Sequence, residues 1–241
     1  MANGNQRGTS VKAAVARTRW QRRKKIATRR TIRDTALRLF DECGYDKVTM
    51  QRIADEAGMS AITVFRYFPT KEDLVIGFSV DGEPFVDLRQ EIGRHMDPSP
   101  RDFVRRVAPQ VLGSLESEQL EGLALRLRIV RSNEALLSAL YARVPRWTAA
   151  VAAIWEGKDV VGFGEPGVAD GSAPSPSVPS GIAGDDGVAE FSVRLSVSCI
   201  IGCVLETLLE WSRLCDVGGD SCDKADVLTS VVSDAMDTVL R

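Results

Sequence analysis

The stretch from Thr49 to Leu74, TMQRIADEAGMSAITVFRYFPTKEDL, combines polar side chains with the spacing of a helix-turn-helix. Ala54, Gly58 and Val64 fall where that motif requires a small residue, a turn glycine and an apolar anchor, because its two short helices cross closely around a tight bend. The chemistry of such a motif is hydrogen bonding to the groove edges of duplex DNA. The pattern alone is weak, because helical hairpins with a turn glycine also occur in all-α proteins that never contact DNA.

Both short helices carry residues that suit their ends. Thr49 and Ser60 can each accept a hydrogen bond from a free N–H group in the first turn that follows. Gly58 can adopt the positive φ of a helix C-terminus without steric cost. Pro69 stops the second helix, which we expect to run from about Ala61 to Phe68.

The second helix has an inner and an outer face. The helical period predicts that Val64, Phe65 and Phe68 lie on or near the face that packs against the rest of the domain. The remaining side chains are the candidates for an outward, DNA-facing surface: Ala61, Ile62, Thr63, Arg66 and Tyr67.

Charge is distributed unevenly along the chain. Residues 1–71 contain 16 Lys or Arg and 6 Asp or Glu, so their net charge is +10, whereas residues 72–241 have a net charge of −12. A solvated basic face is one interpretation of such a segment. Because the basic residues adjoin a helix-turn-helix, we favour a polyanionic partner, double-stranded DNA.

Residues from about Arg22 to Leu74 resemble the DNA-binding domain of the TetR (tetracycline repressor) family of bacterial regulators. The shared features are a long first helix ending in LFDECGYDKVTM, then RIADEAGMS, then the aromatic-rich close TVFRYFPTKEDL. The resemblance implies an all-α fold of about nine helices. It places a three-helix DNA-binding domain (20–70) before a helical effector-binding and dimerisation domain (71–241), and it implies a cytoplasmic, homodimeric repressor that a small molecule releases from a pseudo-palindromic operator.

The resemblance also implies which side chains contact DNA. Thr49 and Lys71 match positions that bind phosphate, and Tyr67 matches a ring position that touches the backbone. Gln51 and Arg66 are suited to bidentate contacts, Gln with adenine and Arg with guanine. The other candidate contacts are Arg22, Ser60, Ala61, Ile62 and Thr63.

Basic residues precede the first helix and begin it. Residues 1–19 scatter Lys and Arg among Gly, Asn, Ser and Thr, so we expect a disordered arm. The arm could contact a minor groove or phosphates, or it could be a solvated tail. The run RRKK at Arg22–Lys25 lies at a helix start, an unfavourable end for cations, which favours a phosphate contact there.

The rest of the chain has a helical pattern interrupted once. The predicted helices are Trp20–Cys43, the two short helices above, Lys71 to about His95 with a kink near Asp81, Arg101–Ser117, Glu118–Arg131, Asn133–Trp155, Val188–Cys215 and Asp223–Leu240. Between them, residues 157–187 hold 8 Gly, 4 Pro and 4 Ser among 31 residues, which predicts a disordered loop.

The resemblance implies a pocket for an apolar or amphipathic effector in the rear domain, and bound effector would shift the helix that begins near Lys71. Large aromatic side chains could line this pocket, although core packing is favoured for each of them, because aromatic residues at helical spacing fill cores by default. The candidates are Phe78, Phe103, Trp147, Trp155 and Trp211.

The last two predicted helices bear on assembly. The first of them is apolar almost all round, and the second has an amphipathic stripe, which together favour a two-fold four-helix interface over burial within one subunit. The predicted interface residues are Cys199, Gly202, Leu205, Leu209, Leu228, Val231, Val232, Ala235 and Val239.

Other function classes find little support in the sequence. We find no Walker loop, dinucleotide glycine pattern, nucleophile elbow or HExxH, and the chain has one His, so we expect no catalytic site and no cofactor. Five cysteines without a paired CxxC indicate a reducing compartment and no metal site. The longest uncharged stretch of the apolar late helix, Leu195–Leu205, is too short to span a bilayer. A non-specific DNA-coating protein and an enzyme with an accessory DNA-binding domain remain the alternatives.

Overall fold

The computed structural model describes residues 5–76, 91–93, 97–158, 185–219 and 223–239, with the side chains of 5–16, 22, 185–188 and 239 outside that description. Ten α-helices and one 3-10 helix make up these residues, and no strand occurs among them. The all-α prediction is therefore confirmed. The helices are α1 (Asn5–Cys43), the 3-10 helix (Tyr45–Lys47), α2 (Met50–Glu56), α3 (Ala61–Tyr67), α4 (Lys71–Ile76), α5 (Pro100–Gly113), α6 (Ser117–Arg131), α7 (Glu134–Ala142), α8 (Val144–Trp155), α9 (Asp185–Gly218) and α10 (Lys224–Val239).

Two helices differ from the prediction. α1 begins at Asn5 instead of Trp20, so residues 5–19 continue the helix where we expected a disordered arm. Alanines at 13, 14 and 16 favour this continuation, because alanine has the highest helix propensity. The helix predicted over Asn133–Trp155 is two helices, and Pro145 lies in the first turn of the second, where its missing N–H costs nothing. The helix predicted over 77–90 and the loop at 159–184 lie outside the described residues.

The helix caps and the turn glycine of the helix-turn-helix adopt the conformations that the sequence predicts. The hydroxyl of Thr49 accepts a hydrogen bond from the Arg52 N–H, and that of Ser60 accepts one from the Thr63 N–H, each over 3.2 Å. Gly58 has a φ of +65° at the bend, in the left-handed region. The two caps define where each short helix begins, and the bend at Gly58 sets the change of direction between them.

One hydrophobic core runs from the helix-turn-helix to the last helix. Val64 and Phe68 of the front segment are fully buried, and the same cluster continues through α6 and α7 to Trp211 on α9. The indole N–H of Trp211 donates to the Lys224 carbonyl over 2.9 Å, which joins α9 to the start of α10. The helix-turn-helix is therefore packed onto the rear helices.

Three arginines of the rear helices reinforce this packing with polar contacts. Arg126 on α6 donates from Nε and Nη2 to the Val75 carbonyl at the end of α4, each over 3.1 Å. Arg128 on α6 forms a 2.7 Å ion pair with Asp41 on α1. Arg143, which precedes α8, forms one of 2.7 Å with the buried Asp73 on α4. α6 thus contacts both helices that flank the DNA-binding motif.

Replacing Gly58 with alanine should destabilise the protein. A residue with a Cβ in the left-handed region costs about 1–2 kcal/mol, so we expect the free energy of unfolding of Gly58→Ala to fall by that amount in urea titrations. Gly113→Ala is the control, because Gly113 lies at an exposed helix end with no positive φ and no heavy atom within 4 Å of an added Cβ. Equal stability of the two variants would contradict the role of the bend.

Candidate functional site

The outward face of α3 presents a mixed apolar and cationic surface. Ile62 is 81% exposed and Arg66 is exposed, whereas Ala61, Thr63 and Tyr67 are half-buried. Such a surface can offer a guanidinium group to guanine and a branched apolar side chain to a thymine methyl group.

Phe65 does not lie where the helical period predicted. Its side chain is 48% exposed, so the prediction that it belongs to the inner face is wrong. Val64 of this seven-residue helix and Phe68, which follows it, are fully buried in the core, whereas Phe65 is exposed, as Ile62 and Arg66 are. Phe65 is therefore an exposed apolar residue and not the core residue that the helical period predicted.

Gln51 lies exposed on the first turn of α2 and is held by its own helix. Its Nε2 donates to Oδ1 of Asp55 over 2.8 Å, one helical turn further on. The carboxamide is thus oriented at the surface, and it must leave Asp55 or share its N–H groups to contact an adenine edge.

The hydroxyl groups at the two helix starts serve as caps. In addition to its bond with the Thr63 N–H, the hydroxyl oxygen of Ser60 lies 2.9 Å from that of Thr63. Thr49 accepts from backbone, which leaves its own O–H able to donate to a phosphate oxygen.

Lys71 lies at the start of α4 and points inward. Its Nζ donates to the carbonyls of Tyr45 (3.0 Å) and Val48 (3.2 Å) and stands 4.0 Å from the centre of the Tyr45 ring. The ammonium group thereby holds the 3-10 helix that leads into α2. A phosphate contact by Lys71 stays a prediction, and it requires the ammonium group to leave these carbonyls.

An arginine pair on α1 holds the end of α3, a feature that the sequence analysis missed. Nη1 of Arg29 donates to the Tyr67 carbonyl over 3.0 Å. The guanidinium carbons of Arg29 and Arg33 lie 4.4 Å and 5.3 Å from the centre of the Phe68 ring. A cation at a helix C-terminus is favourable, so this contact stabilises the helix that presents Arg66. The side chain of Arg22 lies outside the described residues.

A cavity of about 420 Å³ lies between α1, α5, α6, α9 and α10. This volume is within the range of small-molecule sites. Its walls are mainly aliphatic, and its charged groups come from α1 and α6. The lining residues are Ile26, Arg29, Arg30, Arg33, Asp34, Leu37, Phe103, Val104, Val107, Ala108, Val111, Leu112, Leu115, Glu118, Gln119, Gly122, Leu123, Arg126, Ile200, Cys203, Val204, Thr207, Leu208, Leu228, Val232, Ala235 and Met236.

Of the five aromatic residues predicted to line a pocket, Phe103 lines this cavity. Trp155 is not among the lining residues and packs edge-on against the Phe103 ring, with centroids 6.0 Å apart. Trp211 is fully buried in the core, and Trp147 packs against the core, so for these two the alternative of core packing fits the structure. Phe78 lies outside the described residues.

The charged side of the cavity is a cluster of arginines. Burial, and after it repulsion from Arg126 and then Arg29, lower the pKa of Arg33 to about 8. Burial also lowers the pKa of Arg126 to about 10. Arg30 pairs with Glu118 and, over 3.6 Å, with Asp34.

The predicted dimer residues divide into two groups. Leu205, Leu209 and Leu228 are buried in the core of the chain itself, so the prediction for these three needs correction: an apolar helix face can be covered within one subunit. The other predicted residues are exposed (Cys199), half-buried (Gly202, Val231, Val232 and Ala235) or have a side chain outside the description (Val239).

The amino-terminal half of α9 remains exposed. Phe191 (65% exposed) and Leu195 (52%) lie one turn apart, and Cys199 follows one turn later on the same face. By length and composition, residues 189–218 could cross a membrane. Of the most apolar 18 residues of this segment, 17% are buried within the chain. The prediction that this helix is too short to span a bilayer rests on its longest uncharged stretch alone, Leu195–Leu205.

The cysteines that the structure describes are reduced thiols. Cys43 and Cys203 are half-buried, Cys199 is exposed and Cys215 is buried. Burial raises the pKa of the Cys203 thiol, and the neighbouring Cys199 adds to the effect. Within the described residues, no three His, Cys, Asp or Glu side chains are grouped as metal ligands.

Comparison with known proteins gives matches concentrated at the amino-terminal end. Residues 32–77 match the family model for bacterial regulatory proteins of the tetR family. The HTH-type transcriptional repressor Rv1474c of Mycobacterium tuberculosis is 33% identical over 105 residues, which is 44% of this chain and 50% of that protein. The HTH-type transcriptional regulator SAB2452 of Staphylococcus aureus is 42% identical over 53 residues, 22% of this chain and 29% of that protein. The chain thus spans half or less of the length of these relatives.

A solved structure also matches along most of the chain. It is the crystal structure of Thermus thermophilus FadR, a TetR-family transcriptional repressor, in complex with lauroyl-CoA. It covers 86% of this chain and 93% of its own, with 18% identity and a TM-score of 0.32. A TM-score this low does not establish a common arrangement of helices.

Replacing Lys71 with methionine should destabilise the DNA-binding domain. The change removes two charge-assisted hydrogen bonds, so we expect the free energy of unfolding to fall by about 1.5–3 kcal/mol in urea titrations. Lys47→Met is the matched control, because Lys47 is an exposed lysine of the 3-10 helix that Lys71 contacts from α4. Unchanged stability of Lys71→Met would show that the ammonium group is directed to solvent, where it is available to phosphate.

Proposed function

We propose that the chain, whose residues 32–77 match the family model for bacterial regulatory proteins of the tetR family, is a sequence-specific DNA-binding transcriptional regulator of that family. The supporting observation is the exposed outer face of α3, with Ile62 and Arg66 directed outward from a segment whose net charge is +10. Proteins of this family are regulators that are generally not enzymes, and the proposal includes no cofactor or metal.

Recognition of DNA combines a helix in the major groove with contacts to phosphate. Arg66 is the side chain of α3 suited to a bidentate contact with guanine, and Gln51 on α2 is suited to adenine. Ile62 and Phe65 add apolar contacts with thymine methyl groups. Thr49 donates its hydroxyl to phosphate at the edge of the site.

Regulation follows from the position of the cavity. Its walls include α1 and α6, and α6 is bonded to the end of α4 through Arg126, so a bound molecule lies against the elements that carry the helix-turn-helix. For repression to be relieved 100-fold, the ligand must favour the non-binding conformation by about 2.7 kcal/mol. We therefore assign the cavity to an effector and the protein to the class of repressors released by a small molecule.

The exposed apolar face of α9 supports a homodimer. The face around Phe191, Leu195 and Cys199 needs cover, and a second copy supplies it through a two-fold axis. Two copies of α3 then meet a pseudo-palindromic operator with half-sites about 34 Å apart. Binding to the chromosome implies a cytoplasmic location. The alternative to a second copy is a membrane surface that covers the exposed face of α9.

Arg66→Ala should reduce discrimination at one base pair of the operator. Loss of one bidentate base contact costs about 1–3 kcal/mol against the cognate base and little against others. Mobility-shift titrations with DNA flanking the gene, scrambled DNA and base-substituted operators, all with competitor, measure this difference.

The control for Arg66→Ala is Arg38→Ala, which removes an exposed arginine from α1 that pairs with Glu42 and Glu56. If wild-type protein binds scrambled DNA as tightly as the flanking DNA, the protein coats DNA without specificity, and the proposal is wrong. If Arg66→Ala loses the same affinity for specific and for scrambled DNA, Arg66 does not read a base.

Leu195→Glu should dissociate the dimer. A charge on each copy in an apolar interface is desolvated without a partner, so we expect the dimer dissociation constant to rise at least roughly 100-fold in analytical ultracentrifugation. Ile62→Glu is the control, since it places the same charge on an exposed apolar site of α3 and should leave the dimer intact. A monomeric wild type that sediments with anionic lipid vesicles would show that a membrane covers α9 instead.

A further inference from the structure

The outward strip of α3 is mostly apolar. The exposed side chains of this helix are Ile62, Phe65 and Arg66, and Ile62 is 81% exposed. At about 100° of rotation per residue, these three lie on one continuous strip with Ile62 at its centre, opposite the buried Val64. An aliphatic side chain therefore occupies the centre of the surface that the proposed function directs to a DNA groove.

Polar side chains beside the strip are already hydrogen-bonded within the protein. The hydroxyl oxygens of Ser60 and Thr63 lie 2.9 Å apart, and the Ser60 oxygen also accepts from the Thr63 N–H. On α2, the carboxamide of Gln51 donates to Asp55 over 2.8 Å. The two apolar side chains of the strip, by contrast, contact DNA without the loss of any hydrogen bond.

The major groove of DNA offers one methyl group to such a strip. That group is on C5 of thymine, whereas the other base-edge groups that proteins read there are hydrogen-bond donors or acceptors. Covering a donor or acceptor with an aliphatic or aromatic side chain costs free energy, whereas covering a methyl group is favourable. 5-Methylcytosine carries its methyl group on the same ring atom as thymine. The strip therefore distinguishes pyrimidines with a 5-methyl group from cytosine without one.

We propose that α3 reads the 5-methyl groups of pyrimidines, so that methylation of cytosine alters operator binding. Each half-site then holds thymine against Ile62 and Phe65 and guanine against Arg66. Ile62 and Arg66 are four residues apart, about 6 Å along the helix, which corresponds to about two base-pair steps. 5-Methylcytosine takes the place of either thymine. This inference rests on the proposed function and specifies the operator and its response to DNA methylation.

The size of the expected effect follows from the burial of a methyl group. Burial of one methyl group changes a dissociation constant roughly fourfold. Two such contacts in one half-site change it roughly 16-fold, which is comparable to one bidentate contact between arginine and guanine. In the proposed homodimer, one substitution made in both half-sites also acts twice. The methyl contacts of Ile62 and Phe65 therefore contribute as much discrimination as Arg66 does.

Base analogues test the methyl contact without changing base pairing. The specific duplex from the mobility-shift titrations is synthesised with single thymines replaced by deoxyuridine, which lacks only the methyl group. At a contacted position, we expect replacement in both half-sites to weaken binding roughly 16-fold. At the same position, 5-methylcytosine paired with guanine should bind roughly 16-fold more tightly than cytosine paired with guanine. Scrambled duplexes with the same replacements are the control and should bind with unchanged affinity.

A matched pair of variants at Ile62 identifies the side chain that reads the methyl group. Ile62→Val and Ile62→Thr have the same shape, but threonine places a hydroxyl where valine has a methyl group. We expect Ile62→Val to keep most of the preference for thymine over deoxyuridine at one position, and Ile62→Thr to lose it. Phe65→Ala should lose the preference at a second position, and Arg66→Ala should keep both. Because these three residues are exposed, all four variants should fold, which circular dichroism checks.

Three results would overturn the inference while leaving the proposed function intact, because the wild type still binds its operator specifically in each of them. The first is equal affinity for thymine and deoxyuridine at every position. The second is equal affinity for cytosine and 5-methylcytosine at the contacted position. The third is a methyl preference that survives at both positions in Ile62→Thr and in Phe65→Ala. A wild type that binds no duplex specifically contradicts the proposed function, and the inference falls with it.

Discussion

Buried guanidinium groups at helix ends hold the DNA-binding motif to the rest of the molecule. Arg29 donates to the carbonyl end of α3, and Arg126 donates twice to the carbonyl end of α4. Removing an arginine from water costs several kcal/mol, and the negative end of a helix dipole together with direct hydrogen bonds offsets that cost only while the geometry is kept. The positions of α3 and α4 therefore depend on where the guanidinium groups of Arg29 on α1 and Arg126 on α6 lie.

Because of this dependence, α1 and α6 are the helices through which the proposed effector would act on the helix-turn-helix. The resemblance implied a shift of the helix that begins near Lys71, yet the described part of that helix, α4, is fixed at both ends: Lys71 binds the 3-10 helix, and the Val75 carbonyl is held from α6. The cavity borders α1 and α6 directly. A molecule that repositions charged side chains there acts on α3 and α4 through hydrogen bonds that already exist.

Helix caps and the bend were predictable from the sequence, whereas the burial and long-range contacts of individual side chains were not. The caps at Thr49 and Ser60 and the bend at Gly58 depend on residues within four positions, so residue type and spacing suffice. Phe65 was assigned to the inner face because periodicity cannot tell how many side chains a short helix needs inside. The resemblance assigned Lys71 to phosphate, and nothing in its sequence neighbourhood reveals that its ammonium group donates to two carbonyls of residues more than 20 positions earlier. The cavity combines five helices from across the chain, and no local pattern marks it.

The two halves of α9 differ in burial, and the cavity lies beside the residues between them. Its carboxyl half is buried through Leu209 and Trp211, which fixes it in the core, while its amino half exposes Phe191 and Leu195. Between them, Val204 borders the cavity. In the proposed dimer, α9 is anchored in the core at one end and paired with a second copy at the other, so the proposed effector would meet a rigid wall on this side of the cavity. The compliant side of the cavity is then the opposite one, where hydrogen bonds from arginine to carbonyl can lengthen, and strain from the ligand is directed toward the recognition helix.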